Sequence, residues 1–208
     1  MKAEETLRHK TYLALGDSYT IGTAIKSQDA FPYQLKDSLL KQNYDVEVKI
    51  VAQNGWRTDD LQRGIKRTTL DEKYDLISLL IGVNNQYQQL PIEDYTKDFN
   101  NLLDSAIQYA GGKKANVFVV SIPNYGVTPF GAEKKEQTTE QLKVFNQIAE
   151  AICNERNISY FNVTPISLEA EHREDYRAKD NLHPSAIQYA AWVSSFLDEV
   201  LKKLNSDG

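Results

Sequence analysis

This chain of 208 residues has little cysteine, no excess of positive charge and no long apolar run. Its one cysteine, Cys153, cannot form an internal disulfide or build a zinc site alone, so neither a disulfide-rich fold nor a cysteine-based zinc site is expected. The net charge of −5 argues against a nucleic-acid partner, which would usually require a basic patch. No segment has the length and apolarity of a transmembrane helix.

The beginning of the chain, "MKAEETLRHK", is polar and charged and is followed by no apolar segment of the kind found in secretion signals. The protein is therefore expected to be soluble, and cytoplasmic unless an export signal has been removed. Length and composition predict a single domain over residues 1–208, with residues 1–10 as a polar N-terminal extension. The sequence does not determine the oligomeric state.

Short apolar runs alternate with helical patterns along the whole chain. Nearly continuous apolar runs are typical of strands that are buried on both faces of a parallel sheet. The intervening patterns begin at prolines such as Pro91 and Pro184, and one ends at Gly111 and Gly112, as helices do. The alternation predicts an α/β fold of three α/β/α layers, with a flavodoxin-like parallel sheet of about five strands. The predicted strands lie at 11–16, 46–51, 74–82, 115–123 and 158–163.

Ligand sites in such sheets form at the carboxyl ends of the strands, where only one of the three histidines is predicted to lie. His9 stands in the polar beginning of the chain, and His172 stands in the charged stretch "EAEHRED". His183 directly precedes the last helix, and Asp180 stands three residues before it. That spacing can bring a carboxylate to the ring Nδ1 and leave Nε2 free to accept a proton. The alternative is that Asp180 only caps a turn.

Three further polar or glycine positions follow predicted strands. Ser18 follows the first strand, where a backbone N–H favours developing negative charge, although a serine there is also a common helix cap. Gly55 follows the second strand, where it can offer an N–H or simply form a turn. Asn84 follows the third, as an amide donor or a turn residue. Taken together, the positions indicate an ester hydrolase more strongly than any one does.

Several common motifs are missing. The pattern Gly-x-Ser-x-Gly of α/β-hydrolases is absent because Thr20 stands in place of the second glycine. Neither a zinc-protease His-Glu-x-x-His motif nor a phosphate-binding Gly-rich loop occurs. What the chain does carry, in order, is "GDSYT" (16–20), "QNGW" (53–56), "IGVNN" (81–85) and "DNLHPS" (180–185). These four blocks resemble those of the SGNH hydrolases, the GDSL lipase and esterase superfamily, over nearly the whole chain.

The resemblance implies roles for the residues already singled out. Ser18 would be the nucleophile, His183 the general base and acid, and Asp180 the residue that orients it. The oxyanion hole would consist of the Ser18 and Gly55 N–H groups and the Asn84 side chain. The family often has aspartate after the asparagine of the third block, whereas this chain has Asn85, which is expected to play a supporting part.

The expected activity is hydrolysis of small-molecule carboxylic esters, with short-chain or acetyl esters preferred, through a Ser-His-Asp acyl-enzyme mechanism without cofactor or metal. Lysophospholipase or thioesterase specificity, a non-catalytic binding module on the same fold, and a flavodoxin-like nucleotide protein are the alternatives. The last is disfavoured because an acid stands where a phosphate would bind. Candidate pocket residues are the aromatic side chains near the predicted site, namely Trp56, Tyr87, Tyr125 and Phe130. The alternatives are that Trp56 belongs to the core and that the other three pack beneath surface loops.

Overall fold

The computed structural model describes residues 6–205, which form one parallel sheet between two layers of helices. The strand order is β2-β1-β3-β4-β5, and every neighbouring pair is parallel. The predicted α/β/α fold with a sheet of five strands is therefore confirmed. The strands are β1 (Arg8–Gly16), β2 (Tyr44–Ala52), β3 (Leu76–Leu80), β4 (Val117–Val120) and β5 (Ser159–Phe161).

The helices follow the strands as the alternation predicts. Their bounds are α1 (Ser18–Ile21), α2 (Phe31–Leu40), α3 (Thr58–Arg67), α4 (Val83–Tyr87), α5 (Ile92–Tyr109), α6 (Lys135–Arg156), α7 (Thr164–Leu168) and α8 (Ala186–Asn205). Helix α2 packs against α8, while α3 and α6 both pack against α5. These two groups cover the two faces of the sheet.

The first strand begins earlier than the sequence pattern predicts. Residues 8–10 belong to β1, where Arg8 pairs with Tyr44 of β2, so the assignment of this part of the chain to a polar extension is wrong. The side chains of Arg8 and His9 are exposed there, and for that reason the segment lacks an apolar pattern. Residues 1–5, the first part of the predicted extension, lie outside the described residues.

The central strands carry the core. All five residues of β3 are buried, including Ser78, whose hydroxyl lies 2.6 Å from the Tyr12 hydroxyl of β1. This pairing satisfies two polar groups inside an otherwise apolar layer. The sheet reverses its direction of growth between β1 and β3, because the chain first adds β2 on one side and then β3 on the other. In open α/β sheets a ligand crevice forms at such a point, beyond the carboxyl ends of the strands.

Candidate active site

Ser18 lies at the turn from β1 into the short helix α1. Asp17 caps this helix, because its Oδ1 accepts a hydrogen bond of 3.0 Å from the Tyr19 N–H. Gly16 allows the helix to fold back on the strand, since a Cβ there would lie 2.1 Å from Thr20 Oγ1 and 2.5 Å from the Leu80 carbonyl oxygen. The Tyr189 hydroxyl of α8 donates to the Tyr19 carbonyl at 2.8 Å and fixes α1 from the other side.

Asp17 is a buried acid directly beside Ser18. Burial raises the pKa of its carboxyl to about 7, against the opposing effect of the hydrogen bond from the Tyr19 N–H. Across residues 6–205 the Oδ2 atom of Asp17 has no hydrogen-bond partner. The side chain faces the core and does not line the cavity next to Ser18, so its observed part is to hold the turn together.

The loop before α8 brings a carboxylate to a histidine ring. His183 Nδ1 lies 2.6 Å from Asp180 Oδ2, as the spacing of three residues predicts. Asp180 Oδ1 accepts from the N–H groups of Leu182 and His183 at 3.1 and 3.0 Å. Asn181 takes a left-handed conformation with φ of 56°, which closes this tight turn. The contact with Nδ1 leaves Nε2 as the ring nitrogen available for proton transfer.

The environment of Asp180 favours its ionised form. Partial burial works to raise the pKa of this carboxyl, but the hydrogen bonds from the His183 ring and from the His183 and Leu182 N–H groups outweigh it. The net pKa therefore lies below the ordinary aspartate value of 3.8. The His183 side chain is only 9% exposed, and the Tyr19 ring lies against it with 5.5 Å between ring centroids. The ionised Asp180 carboxylate thus faces a nearly buried imidazole ring.

The other two histidines lie away from this arrangement. His9 is exposed on β1, at the opposite end of the strand from Ser18, with its Nδ1 2.9 Å from Asp45 Oδ2. His172 is exposed at the end of a 3₁₀ turn. Neither lines the cavity that His183 and Ser18 share.

Gly55 and Asn84 bring potential hydrogen-bond donors to the same edge of the sheet. Gly55 follows β2 with a φ of 79°, a backbone conformation that favours glycine. Within the described part of the chain, the N–H groups of Ser18 and Gly55 donate to no protein acceptor. Asn84 Nδ2 donates one hydrogen to the Trp56 carbonyl at 2.8 Å, which fixes the amide and leaves its second hydrogen available.

These residues surround one cavity of about 260 Å³ at the reversal point of the sheet. The structure brings together seven of the residues that the sequence indicated: Ser18, Gly55, Asn84, His183, Tyr87, Tyr125 and Phe130. It adds four that sequence reasoning missed, namely Tyr19, Asn54, Val83 and Leu182, each of which directly neighbours an indicated residue. Asp180 stands behind His183 and contributes through it.

Trp56 does not line this cavity, and its assignment to the pocket is wrong. The ring packs instead on α3, where a Cβ at Gly64 would lie 2.2 Å from Trp56 Cη2. The ring is partly buried against the core, while its carbonyl holds Asn84. Trp56 therefore contributes to the site through its backbone.

An aromatic cluster of Tyr87, Tyr125 and Phe130 forms one wall of the cavity. The three ring centroids lie 6.1 to 6.2 Å apart, so each ring contacts the other two. Tyr125 is buried and donates to Gln86 Oε1 at 3.0 Å, whereas Tyr87 and Phe130 are 56% and 52% exposed. The same cluster borders a second cavity of about 160 Å³, which is lined also by Glu133, Lys134 and Thr138.

Between residues 6 and 205, no three His, Cys, Asp or Glu side chains are grouped as a metal site requires. In the same span, no helix has the length and apolarity needed to cross a bilayer.

The chain is similar to known ester hydrolases. The sequence profile of the GDSL-like lipase/acylhydrolase family matches residues 14–191. An arylesterase of Vibrio mimicus is 24% identical over 195 residues, which are 92% of this chain and 88% of that protein.

Solved structures agree on the fold. A psychrotrophic esterase from a Pseudoalteromonas species superimposes with a TM-score of 0.71 at 17% identity, over 94% of this chain and 99% of the other. A carbohydrate acetylesterase family member from Sinorhizobium meliloti gives a TM-score of 0.67 at 18% identity, over 94% and 99% of the two chains. The family profile covers most of the chain and includes all four sequence blocks in full. The chain therefore belongs to the GDSL-like lipase/acylhydrolase family and is an ester hydrolase.

Proposed function

We propose that the protein is a serine esterase in which Ser18 is the nucleophile, His183 the general base and acid, and Asp180 the residue that orients His183. The observation that carries the proposal is a shared cavity lined by Ser18 and His183, with the Asp180 carboxylate 2.6 Å from His183 Nδ1. An ionised Asp180 holds the proton of His183 on Nδ1 and so keeps Nε2 ready to accept another.

The proposed reaction has two stages. Ser18 Oγ transfers its proton to His183 Nε2 and attacks the ester carbonyl carbon, which gives a tetrahedral anion. Collapse of that anion breaks the bond to the alcohol oxygen, and His183 Nε2 donates its proton to the leaving alcohol. In the second stage a water molecule gives a proton to Nε2 and attacks the acyl carbon. The bond from that carbon to Ser18 Oγ then breaks, His183 Nε2 returns its proton to Oγ, and the carboxylic acid leaves. Asp180 stabilises the imidazolium in both stages without taking its proton.

Three donors are proposed to stabilise the tetrahedral anion: the N–H groups of Ser18 and Gly55 and the second hydrogen of Asn84 Nδ2. Their lack of protein acceptors supports this role, because donors already paired would have to break a bond first. The hydrogen bond from Asn84 to the Trp56 carbonyl fixes the amide before substrate arrives.

Asn84→Ala is expected to lower kcat about 10²- to 10³-fold while KM changes little. The physical reason is that the oxygen carries only partial charge in the bound ester, so the hydrogen bond strengthens mainly in the transition state. Steady-state kinetics on one short-chain ester measure the effect, and circular dichroism checks the fold. Asn85→Ala is the comparison and is expected to lower kcat less, since Asn85 does not line the cavity. A larger loss of kcat in Asn85→Ala than in Asn84→Ala would show that Asn84 is not the oxyanion donor.

The cavity size and the aromatic cluster suggest the substrate. A volume of about 260 Å³ lies just below the usual range for drug-sized ligands, which favours short acyl groups such as acetyl. Two half-exposed aromatic rings at the cavity provide a surface for an aromatic group on the part of the ester that extends outward. The similar protein of Vibrio mimicus is named an arylesterase, and we propose short-chain esters of aromatic alcohols for this chain.

A panel of p-nitrophenyl esters tests this function and is expected to give the highest kcat/KM at acetate or butyrate. Benzyl acetate should also exceed cyclohexylmethyl acetate in kcat/KM by about two- to tenfold, because only the aromatic ring makes favourable ring contacts with the cluster. Benzyl alcohol and cyclohexylmethanol differ little as leaving groups, so the ratio of the two kcat/KM values measures how well the site recognises the ring of the alcohol.

Phe130→Leu should reduce that ratio towards one, and Tyr33→Leu, which removes a partly exposed ring from α2, should not. An unchanged ratio in Phe130→Leu would contradict the aromatic subsite.

The acyl-chain panel has its own contradicting outcomes. A maximum of kcat/KM at octanoate or longer acyl chains would favour thioesterase or lysophospholipase specificity instead. Absence of turnover on every ester would contradict the proposed function.

A further inference from the structure

A hydrogen-bond chain connects the buried Asn85 of α4 to the partly buried Asp98 of α5 through Thr58, the first residue of α3. Asn85 Oδ1 accepts from the Thr58 N–H at 3.1 Å, and Asn85 Nδ2 donates to Thr58 Oγ1 at 2.8 Å. Thr58 Oγ1 in turn donates to Asp98 Oδ2 at 3.2 Å. Thr58 and Asn85 are almost completely buried, so neither can replace a lost partner readily with water.

The direction of every bond in this chain is determined. A backbone N–H can only donate, so the Thr58 N–H must face the oxygen of the Asn85 amide, and the amide nitrogen must face Thr58 Oγ1. The Thr58 hydroxyl accepts from that nitrogen, and its single proton is given to the Asp98 carboxylate. The neutral amide at position 85 and the negative charge at position 98 are therefore complementary parts of one network.

This network joins the two segments that carry the proposed oxyanion donors, the Gly55 loop and helix α4. Thr58 follows Gly55 by three residues, and Asn85 directly follows Asn84 in α4. Two hydrogen bonds between Asn85 and Thr58 therefore hold the Gly55 loop and α4 at a fixed spacing, and Asn84 adds a third through the Trp56 carbonyl. Donors act on a transition state only when they are preorganised at the right distance.

The usual aspartate of the third sequence block would alter this arrangement. A carboxylate at position 85 would accept both from the Thr58 N–H and from the Thr58 hydroxyl, and no proton would remain for Asp98. We infer that Asp98, which accepts the Thr58 hydroxyl proton, is a positioning residue that holds the Gly55 and Asn84 donors through Thr58 and Asn85. The inference rests on the proposed esterase function.

The test exchanges the two side chains. Asn85→Asp alone places two carboxylates in competition for the one Thr58 proton, so kcat should fall about 10- to 100-fold with little change in KM. Asp98→Asn alone should cost less than about threefold, because the new amide oxygen can still accept from Thr58. The double variant Asn85→Asp with Asp98→Asn should recover kcat to within about threefold of Asp98→Asn, since the network is satisfied again with its direction reversed.

Asp94→Asn is the matched control for charge. Asp94 is exposed in the first turn of the same helix α5, and its replacement changes the net charge by the same amount. Combined with Asn85→Asp, it should restore neither kcat nor the melting temperature. If Asp94→Asn rescues Asn85→Asp as well as Asp98→Asn does, or if Asn85→Asp alone retains the wild-type kcat, the inference is wrong.

Two further measurements keep the test decisive. Thermal unfolding of the same variants measures the effect of the network on stability, independently of catalysis. If the double variant recovers the melting temperature but not kcat, Asp98 has only a structural role and the inference is overturned. Should Asn85→Asp fail to fold, Thr58→Val is expected to lower kcat about tenfold while Thr58→Ser retains it, because only serine keeps the hydroxyl. Equal kcat values for the two would also overturn it. An inactive wild-type enzyme on all esters would instead count against the proposed function.

Discussion

Replacing Ser18 with alanine is expected to lower kcat by about 10⁴- to 10⁶-fold on any ester that the wild-type enzyme hydrolyses. The reason is that alanine has no oxygen to attack the carbonyl carbon, so no acyl-enzyme can form. The three proposed oxyanion donors, by contrast, stay in place, because neither the Ser18 N–H nor the positions of Gly55 and Asn84 depend on the hydroxyl. A small residual rate above that of water is therefore expected.

The control for this variant is Ser105→Ala, which removes a partly exposed hydroxyl from α5 that donates to the Asn101 carbonyl and lies outside the cavity. It should leave kcat unchanged. Both variants are measured on p-nitrophenyl acetate at equal purity, with KM determined separately for each. If Ser18→Ala retains most of the wild-type kcat, Ser18 is not the nucleophile.

Replacing His183 with glutamine is expected to lower kcat by a similar factor, about 10⁴- to 10⁶-fold, because no group then removes the Ser18 proton. Asp180→Asn should cost about 10⁴-fold. An amide there would donate to His183 Nδ1, so the ring would carry its proton on Nε2, where it cannot accept the serine proton. The negative charge of Asp180 should be lost only when the pH falls below the usual aspartate range, since its pKa lies below its usual value.

His9→Gln and His172→Gln are the matched controls, because each removes an exposed imidazole that does not line the cavity. Both should leave kcat and the pH–rate profile as they are in the wild type. If either of them abolishes turnover while His183→Gln does not, the base has been assigned to the wrong histidine.

The fold could be predicted from the sequence because buried parallel strands leave a strong local pattern. Every residue of β3 and β4 is buried, so both strands appear as continuous or nearly continuous apolar runs, interrupted only by Ser78 in β3. The beginning of β1 leaves no such pattern, because Arg8 and His9 are exposed although their backbone pairs with β2. Backbone pairing of exposed residues depends on the neighbouring strand, which local sequence does not reveal.

The proposed site could be predicted as far as it depends on strand ends. Ser18, Gly55 and Asn84 follow three strands that are neighbours in the sheet, so topology alone brings them together. Trp56 could not be placed, because its position depends on the space left by the missing side chain of Gly64 on α3.

The connection of Asn85 to Asp98 could not be predicted either. It runs through Thr58 and joins three helices over hydrogen bonds that no local pattern marks. The sequence indicated only that Asn85 supports its neighbour. The link from Thr58 to Asp98 depends on the packing of α3 against α5, which local sequence does not reveal.

The central claim is that Ser18 forms a covalent intermediate with the help of His183, and labelling with a fluorophosphonate probe tests it most directly. Mass spectrometry of the digested wild-type protein should show the probe on the peptide that contains Ser18, and labelling should be much slower in His183→Gln and absent in Ser18→Ala. Labelling of Ser18→Ala at the wild-type rate, or a wild-type protein that stays unlabelled while it hydrolyses esters, would contradict the account.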